Sequence, residues 1–181
     1  MGLMMSSEKQ LAEMLVPFYL GERADVRGRR IEEIWEWDFE ELECTHDYIQ
    51  WLFPLAERSR FNDRAPVVDA KIIGAFQTDR RLQQNLLKSL EVMLRFYGLQ
   101  FSNLVPGQIE RSSTYPTRKQ EWVNVFDHNY LRITRILKCL IILGCVDVAR
   151  SLYNCLRQIY REEGDLISSE TFQYWTDAVE L

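Results

Sequence analysis

Histidine is nearly absent. The chain of 181 residues has two, His46 and His128, and they stand far apart with no HxxxH or HExxH around them. None of the four cysteines (44, 139, 145 and 155) forms a CxxC pair, so the usual zinc frameworks are missing. No metal and no cofactor is expected. The sequence also lacks a P-loop, GxGxxG, a GxSxG elbow and the kinase signatures, so no known catalytic framework is present and no enzyme is expected. Long apolar runs are missing as well. The longest, Cys139 to Val146, is far too short to span a bilayer, and no basic segment leads into an apolar one at the start. A soluble, cytoplasmic protein with reduced thiols is the expectation. Positive charge is short: 22 lysines and arginines face 27 acids, a net charge of −5, so no uniform basic field invites nucleic acid. MGLMMS does match the loose N-myristoylation pattern through Gly2 and Ser6, a pattern short enough to arise by chance.

What the chain has in quantity is apolar and aromatic residues, 46% and 12% of the total, enough for a sizeable core. They recur every three or four residues and not every two, which predicts helices and no convincing strand. The pattern reads as one all-α domain over 1–181, a single compact multi-helix domain of about eight helices.

Ser7 with Gln10 could form a capping box for a helix over roughly 8–20, split or kinked at Pro17 and ended by Gly21. A short helix follows at about 31–36. Asp38 caps the next, about 39–53, which Pro54 stops. Asp69 caps a helix to Phe76, and Asp79 caps one over 80–97, with Gly98 in the left-handed position after it. Residues 99–116 form the longest irregular stretch, of the kind that is often functional or mobile. Helices are then expected at about 117–126, 128–143, 148–162 and 170–180. Asp127 or His128 marks one junction, Asp147 caps the third of these, and Ser168 or Ser169 caps the last.

Two stretches gather chemistry. In HDYIQWLFP (46–54) the register places His46 with Leu42, Ile49 and Phe53 on an inward stripe, Tyr48 and Trp51 on a second stripe, and Asp47 and Gln50 outward. The plainer reading is a hydrogen-bonded core histidine beside core aromatics; the sharper one is a ligand contact. In HNYLRITRILK (128–138), His128, Arg132, Arg135 and Lys138 fall on one side of a helix, with Tyr130 on the buried side. The plainer reading is a solvated basic face, or arginines paired with neighbouring acids. The sharper one is an anion site in the first turn. Aromatics such as Trp37, Trp122 and Trp175 exceed what a minimal helical core needs, and one of Trp35 and Trp37 is free to wall a groove or partner surface.

THDYIQWLFPL (45–55) and HNYLRITRILKCLIILG (128–144) closely resemble segments of the opioid growth factor receptor conserved region. LEVMLRFYGL (90–99) and PFYLGE (17–22) resemble it in the same order. The resemblance covers about Pro17 to Gly144. It implies an all-helical domain and a receptor for the opioid pentapeptide Met-enkephalin, nuclear or nuclear-envelope associated in animals, with no catalytic residues to carry over. The chain reads as a stand-alone version of that domain, without the long tails of the vertebrate members.

Three readings follow. The first is a binding module for a peptide or small anionic ligand, in a cleft between the 39–53 and 128–143 helices. There Tyr48 and Trp51 would give apolar contact, His128, Arg132 and Arg135 would hold a carboxylate or phosphate, and His46, Tyr130 and Lys138 are further ligand-binding candidates. The second is an unrecognised enzyme with a histidine acid–base. The third is a structural protein–protein interaction domain.

Overall fold

The structure, a computed structural model, describes residues 2–60 and 62–181, with side chains from Lys9 onward apart from Phe61. The side chains of Ser6 and Ser7, on which the acylation pattern and the first capping box rest, lie outside those described. The all-α expectation holds: the described residues form ten helices and one short two-stranded sheet. The chain divides into two compact units between Ser89 and Leu90.

The first unit contains α1 (Gly2–Tyr19), α2 (Ile31–Trp35), α3 (Phe39–Cys44), α4 (Ile49–Leu52), α5 (Ala70–Thr78) and the first half of α6 (Arg80–Tyr97). Pro17 lies inside α1 without splitting it, and Gly21, at φ 72°, follows its end. The carboxylates of Asp38 and Asp69 accept the backbone N–H of Glu41 and Ile72, as their N-cap positions require. The core is aromatic. Phe18 meets Trp51 edge-on at 5.3 Å and Tyr19 meets Phe76 at 4.7 Å. Tyr19 Oη donates to Leu52 O, and the Trp35 indole donates to Ser89 Oγ at 2.9 Å, whereas the buried Trp51 Nε1 has no hydrogen-bond partner among the described residues.

The second unit holds the rest of α6, then β1 (Leu99–Phe101), β2 (Ile109–Arg111), α7 (Tyr115–Trp122), α8 (Asn129–Ile142), α9 (Val146–Glu163) and α10 (Ser169–Val179). α8, α9 and α10 pack against one another around Leu137, Leu140, Leu156, Ile159 and Trp175. Ser168 Oγ caps α10 by accepting Thr171 N–H. Cys145, and not Asp147, stands at the N-cap of α9, and Asp147 lies in its first turn. The irregular stretch after Gly98 contains a hairpin that the periodicity misses. Its register pairs Leu99 with Arg111, Gln100 with Glu110 and Phe101 with Ile109. The bonds Ser112 N–H to Gly98 O (2.9 Å) and Ser102 N–H to Gln108 O (2.7 Å) make Gln100 and Glu110 the mutually bonded pair. The backbone groups of Ile109 and Arg111 therefore point away from β1.

Gly98 makes the corner. Its φ is 76°, and a Cβ there would lie 2.7 Å from Tyr115 Cα and 2.8 Å from Arg118 Cβ. Replacing Gly98 by Ala is expected to destabilise the chain by about 1–3 kcal/mol from the left-handed backbone alone, with the clash adding to that. Urea denaturation of Gly98→Ala beside the unmodified chain measures it.

Candidate functional site

The segment 45–48 is where the expected helix over 39–53 breaks. α3 stops at Cys44, Thr45 is extended (φ −90°, ψ 130°), and α4 begins only at Ile49. The cause is an ion-pair network that local periodicity does not reveal. Asp25 is buried, and its Oδ1 accepts the backbone N–H groups of Arg27 (2.8 Å) and Arg29 (3.0 Å), closing a tight loop. Its Oδ2 takes Arg29 Nε at 2.7 Å. The same guanidinium reaches Asp47 Oδ1 through Nη1 at 2.7 Å, and Arg27 Nε reaches Asp47 Oδ2 at 3.0 Å. Trp37 lies beneath Arg29, 5.7 Å from ring centroid to guanidinium carbon. Asp47 is thus drawn toward two arginines and the helix opens around it.

Three expectations change as a result. His46 is exposed and does not face inward. Gln50 is buried and does not face out; with its amide turned so that the nitrogen meets acceptors, it donates to the carbonyls of His46 and Asp47 at 3.3 and 3.2 Å. Asp47 is half-buried and paired, not solvated. Tyr48 and Trp51 are buried as the core reading anticipates, Tyr48 donating to Leu42 O at 3.0 Å. His46 lines a cleft of about 250 Å³ with Val26, Arg27, Asp47, Asn62, Asp63 and Arg64.

In the second unit the stripe from His128 divides. His128 is exposed, 42% of its side chain open, with Nδ1 3.9 Å from Asp127. Arg132 is only 5% exposed, which overturns the reading of a solvated basic face at this position; its Nη1 donates to Asn129 Oδ1 at 3.2 Å. Arg135 and Lys138 are half-buried. Tyr130 is buried, donates to Asn124 O at 2.8 Å, and its hydroxyl is pushed by burial up to about 12. Just before it, Phe126 has φ 62° and is 95% exposed. The sequence-expected residues thus fall into two sets, His46, Tyr48 and Trp51 in the first unit and the other five in the second.

A polar opening of the second unit was not foreseen. A groove of about 520 Å³ runs between β2 and one face of α9. The α9 wall carries Asp147, Arg150, Ser151, Asn154, Cys155, Gln158 and Glu162, spaced by three or four as a single helical stripe. The β2 wall carries the outward edge of Ile109 and Arg111. Ser151 Oγ already accepts Ile109 N–H at 2.7 Å. Arg111 pairs bidentately with Glu162 at 2.7 and 2.8 Å and stacks over Tyr115 at 4.9 Å. The hydrogen bonds to Glu162 raise the Arg111 pKa and lower that of Glu162. Among the described residues, the side chains of Asp147, Arg150, Asn154 and Gln158 make no hydrogen bond or ion pair. The signal available in the sequence was that stripe, polar where α9 could have been apolar. Of the cysteines, Cys44 is exposed, while burial raises the thiol pKa of Cys139, Cys145 and Cys155, the last to about 11.

A profile described as the opioid growth factor receptor conserved region matches residues 9–180. The chain belongs to that family. The opioid growth factor receptors of Mus musculus and Homo sapiens are each 39% identical to it over 120 residues, and the opioid growth factor receptor-like protein 1 of Xenopus tropicalis is 40% identical. Each match covers 65% of this chain but only 19%, 17% and 23% of those relatives, so the chain spans about a fifth of their length. No solved structure matches it. Among the described residues, no helix is long and apolar enough to cross a membrane, and no three potential metal-ligating side chains gather.

Asp47 gives a test of the network. Burial pushes its carboxyl up, but hydrogen bonds and charge from Arg29, then Arg27, outweigh that and hold it below its usual 3.8. A depressed folded value contributes stability above the unfolded value that is lost as pH falls through the folded one. Asp47→Asn is expected to cost about 1–2 kcal/mol at pH 7. The gap to the unmodified chain should close below about pH 4. Urea denaturation at neutral and acid pH reads both.

Proposed function

We propose that the chain is a binding domain without chemistry of its own, and that the groove between β2 and α9 holds a short peptide in extended form. The observation that carries this is the pairing of its walls: outward backbone groups of a strand edge on one side, a row of uncommitted side chains of both charges on the other. Backbone groups suit a peptide's own amides. The turn that carries Asp147 and Arg150 suits one charged terminus, an ammonium on Asp147 or a carboxylate on Arg150, and Asn154 and Gln158 can donate and accept farther along the groove. Length agrees too. Asp147 to Glu162 is about 22 Å of helix, and five extended residues span about 17 Å. The relatives are named as receptors of an opioid growth factor, and the resemblance implies the pentapeptide Met-enkephalin, which is therefore the natural probe. Isothermal titration with it should give one saturable site. Of Arg150→Ala and Asp147→Ala, the one that removes the partner of that terminus should weaken it about tenfold, the loss of one charge-assisted hydrogen bond. Unchanged affinity in both variants overturns the groove assignment, and no saturable binding of any pentapeptide overturns the peptide reading.

A second reading is supported by the exposed His46. With Arg27 and Arg64, whose guanidinium makes no bond among the described residues, it borders a cleft of a size that suits a small oxyanion. Orthophosphate should bind there, with Arg64→Ala and His46→Ala each weakening it at least threefold. Phosphorus NMR titration showing no saturable shift, or the same affinity in both variants, removes this reading.

A further inference from the structure

At the edge of β2 the backbone groups that face α9 are those of Ile109 and Arg111, because Gln100 and Glu110 bond to one another across the hairpin. The two residues are not alike. Ile109 N–H is held by Ser151 Oγ at 2.7 Å, and the residue is buried. Arg111 is half-buried, and among the described residues nothing takes its backbone N–H or C=O. Both residues lie in the wall of the groove. The open part of the edge is thus one donor and one acceptor on a single residue.

That residue is held still by its side chain. The Arg111 guanidinium pairs bidentately with Glu162 on α9 and lies over the Tyr115 ring at 4.9 Å, so two further elements fix the side chain while the backbone stays open. A donor and an acceptor fixed in advance suit the main chain of an extended peptide, which offers them one C=O and one N–H whichever way it runs. Ser151 sets the limit. With its hydroxyl on Ile109 N–H, a strand added to this edge finds no donor two residues back, and the ladder ends at Arg111. We infer that the groove recognises its ligand through the main chain at Arg111, and that Ser151 is the positioning residue that fixes the register. This rests on the reading of the groove as a peptide site. The ligand class follows: extended peptides of varied side chain that carry an N–H at the position paired with Arg111. Proline or an N-alkylated residue there is excluded, because it has no N–H to give.

The test titrates the full chain with Met-enkephalin and with analogues in which one amide N–H at a time is replaced by an ester oxygen. One position should lose about tenfold in affinity, the loss of one hydrogen bond. A position beside it, where the ester weakens the carbonyl that Arg111 N–H meets, should lose less, and the rest should stay within about twofold. Amide hydrogen exchange read by NMR should slow at Arg111 when the peptide binds and stay as it was at Ile109. Ser151→Ala uncovers Ile109 N–H for a further bond, so affinity should hold or rise, whereas a side chain that touched the ligand would lower it. Ser151→Thr keeps the hydroxyl and should bind as the unmodified chain does. Ester analogues that all bind as tightly as the parent peptide, exchange at Arg111 unchanged by bound peptide, or weaker binding by Ser151→Ala overturns recognition through the main chain while leaving the peptide site standing. Absence of saturable binding by the parent peptide and its analogues alike removes both, so the two fail separately.

Discussion

At Gly98 the chain leaves α6, and three successive carbonyls at that corner are each taken by a group from the segment that follows. Phe96 O accepts Arg118 Nε at 2.8 Å, Tyr97 O accepts the Trp122 indole at 3.1 Å, and Gly98 O accepts both the N–H and the hydroxyl of Ser112 at 2.9 Å. A helix end leaves such carbonyls unpaired, and buried ones must find donors. Here the donors come from the hairpin's return and from α7, so one corner fixes where both run. It also fixes the register of β2, and with it which backbone groups face α9. The groove depends on that corner more than on any residue that lines it.

The two polar openings differ in what sets them up. Around His46 the arginines and carboxylates mostly satisfy one another, and the buried Asp25 is the anchor: its charge is compensated by Arg29 and by two backbone N–H groups. An ion buried without such compensation would cost several kcal/mol, on the order of its desolvation penalty. Along α9 the opposite holds. Arg111 and Glu162 pair at one end and Ser151 holds Ile109 N–H, while Asp147, Arg150, Asn154 and Gln158 keep their hydrogen-bonding capacity. Structural charges are mutually saturated, whereas groups that are held apart can receive a ligand.

Helix starts were legible because capping is local. Asp38, Asp69 and Ser168 act on N–H groups three residues away, and the sequence alone points to them. The leucine spacing of α6 and its glycine stop were legible for the same reason. The break at Thr45–Tyr48 was not, because its cause is Arg27 and Arg29, some twenty residues earlier. A register argument carried across that break misplaces the polar residues beside it, which is how His46 and Gln50 exchanged places, while Tyr48, Ile49, Trp51 and Phe53 are buried as expected. The hairpin escaped because three-residue strands give alternation no room to appear. The candidate groove was hidden for a compound reason: it needs the hairpin, which was missed, to stand opposite a polar stripe whose partner was unknown. Family membership was legible from near-literal segments, yet much of those segments, Trp51 and Leu137 among them, is core.

The cysteines have a consequence for covalent chemistry. Three of the four thiols are shielded, and burial keeps them protonated, whereas Cys44 sits exposed at the last position of α3. Nucleophilic attack needs the thiolate and access, and Cys44 has the access the others lack. An alkylating reagent or a mild oxidant therefore meets one reactive sulfur first. The unmodified sequence thus offers a preferred attachment point for a reporter group, on the first unit, a few residues from the break that exposes His46.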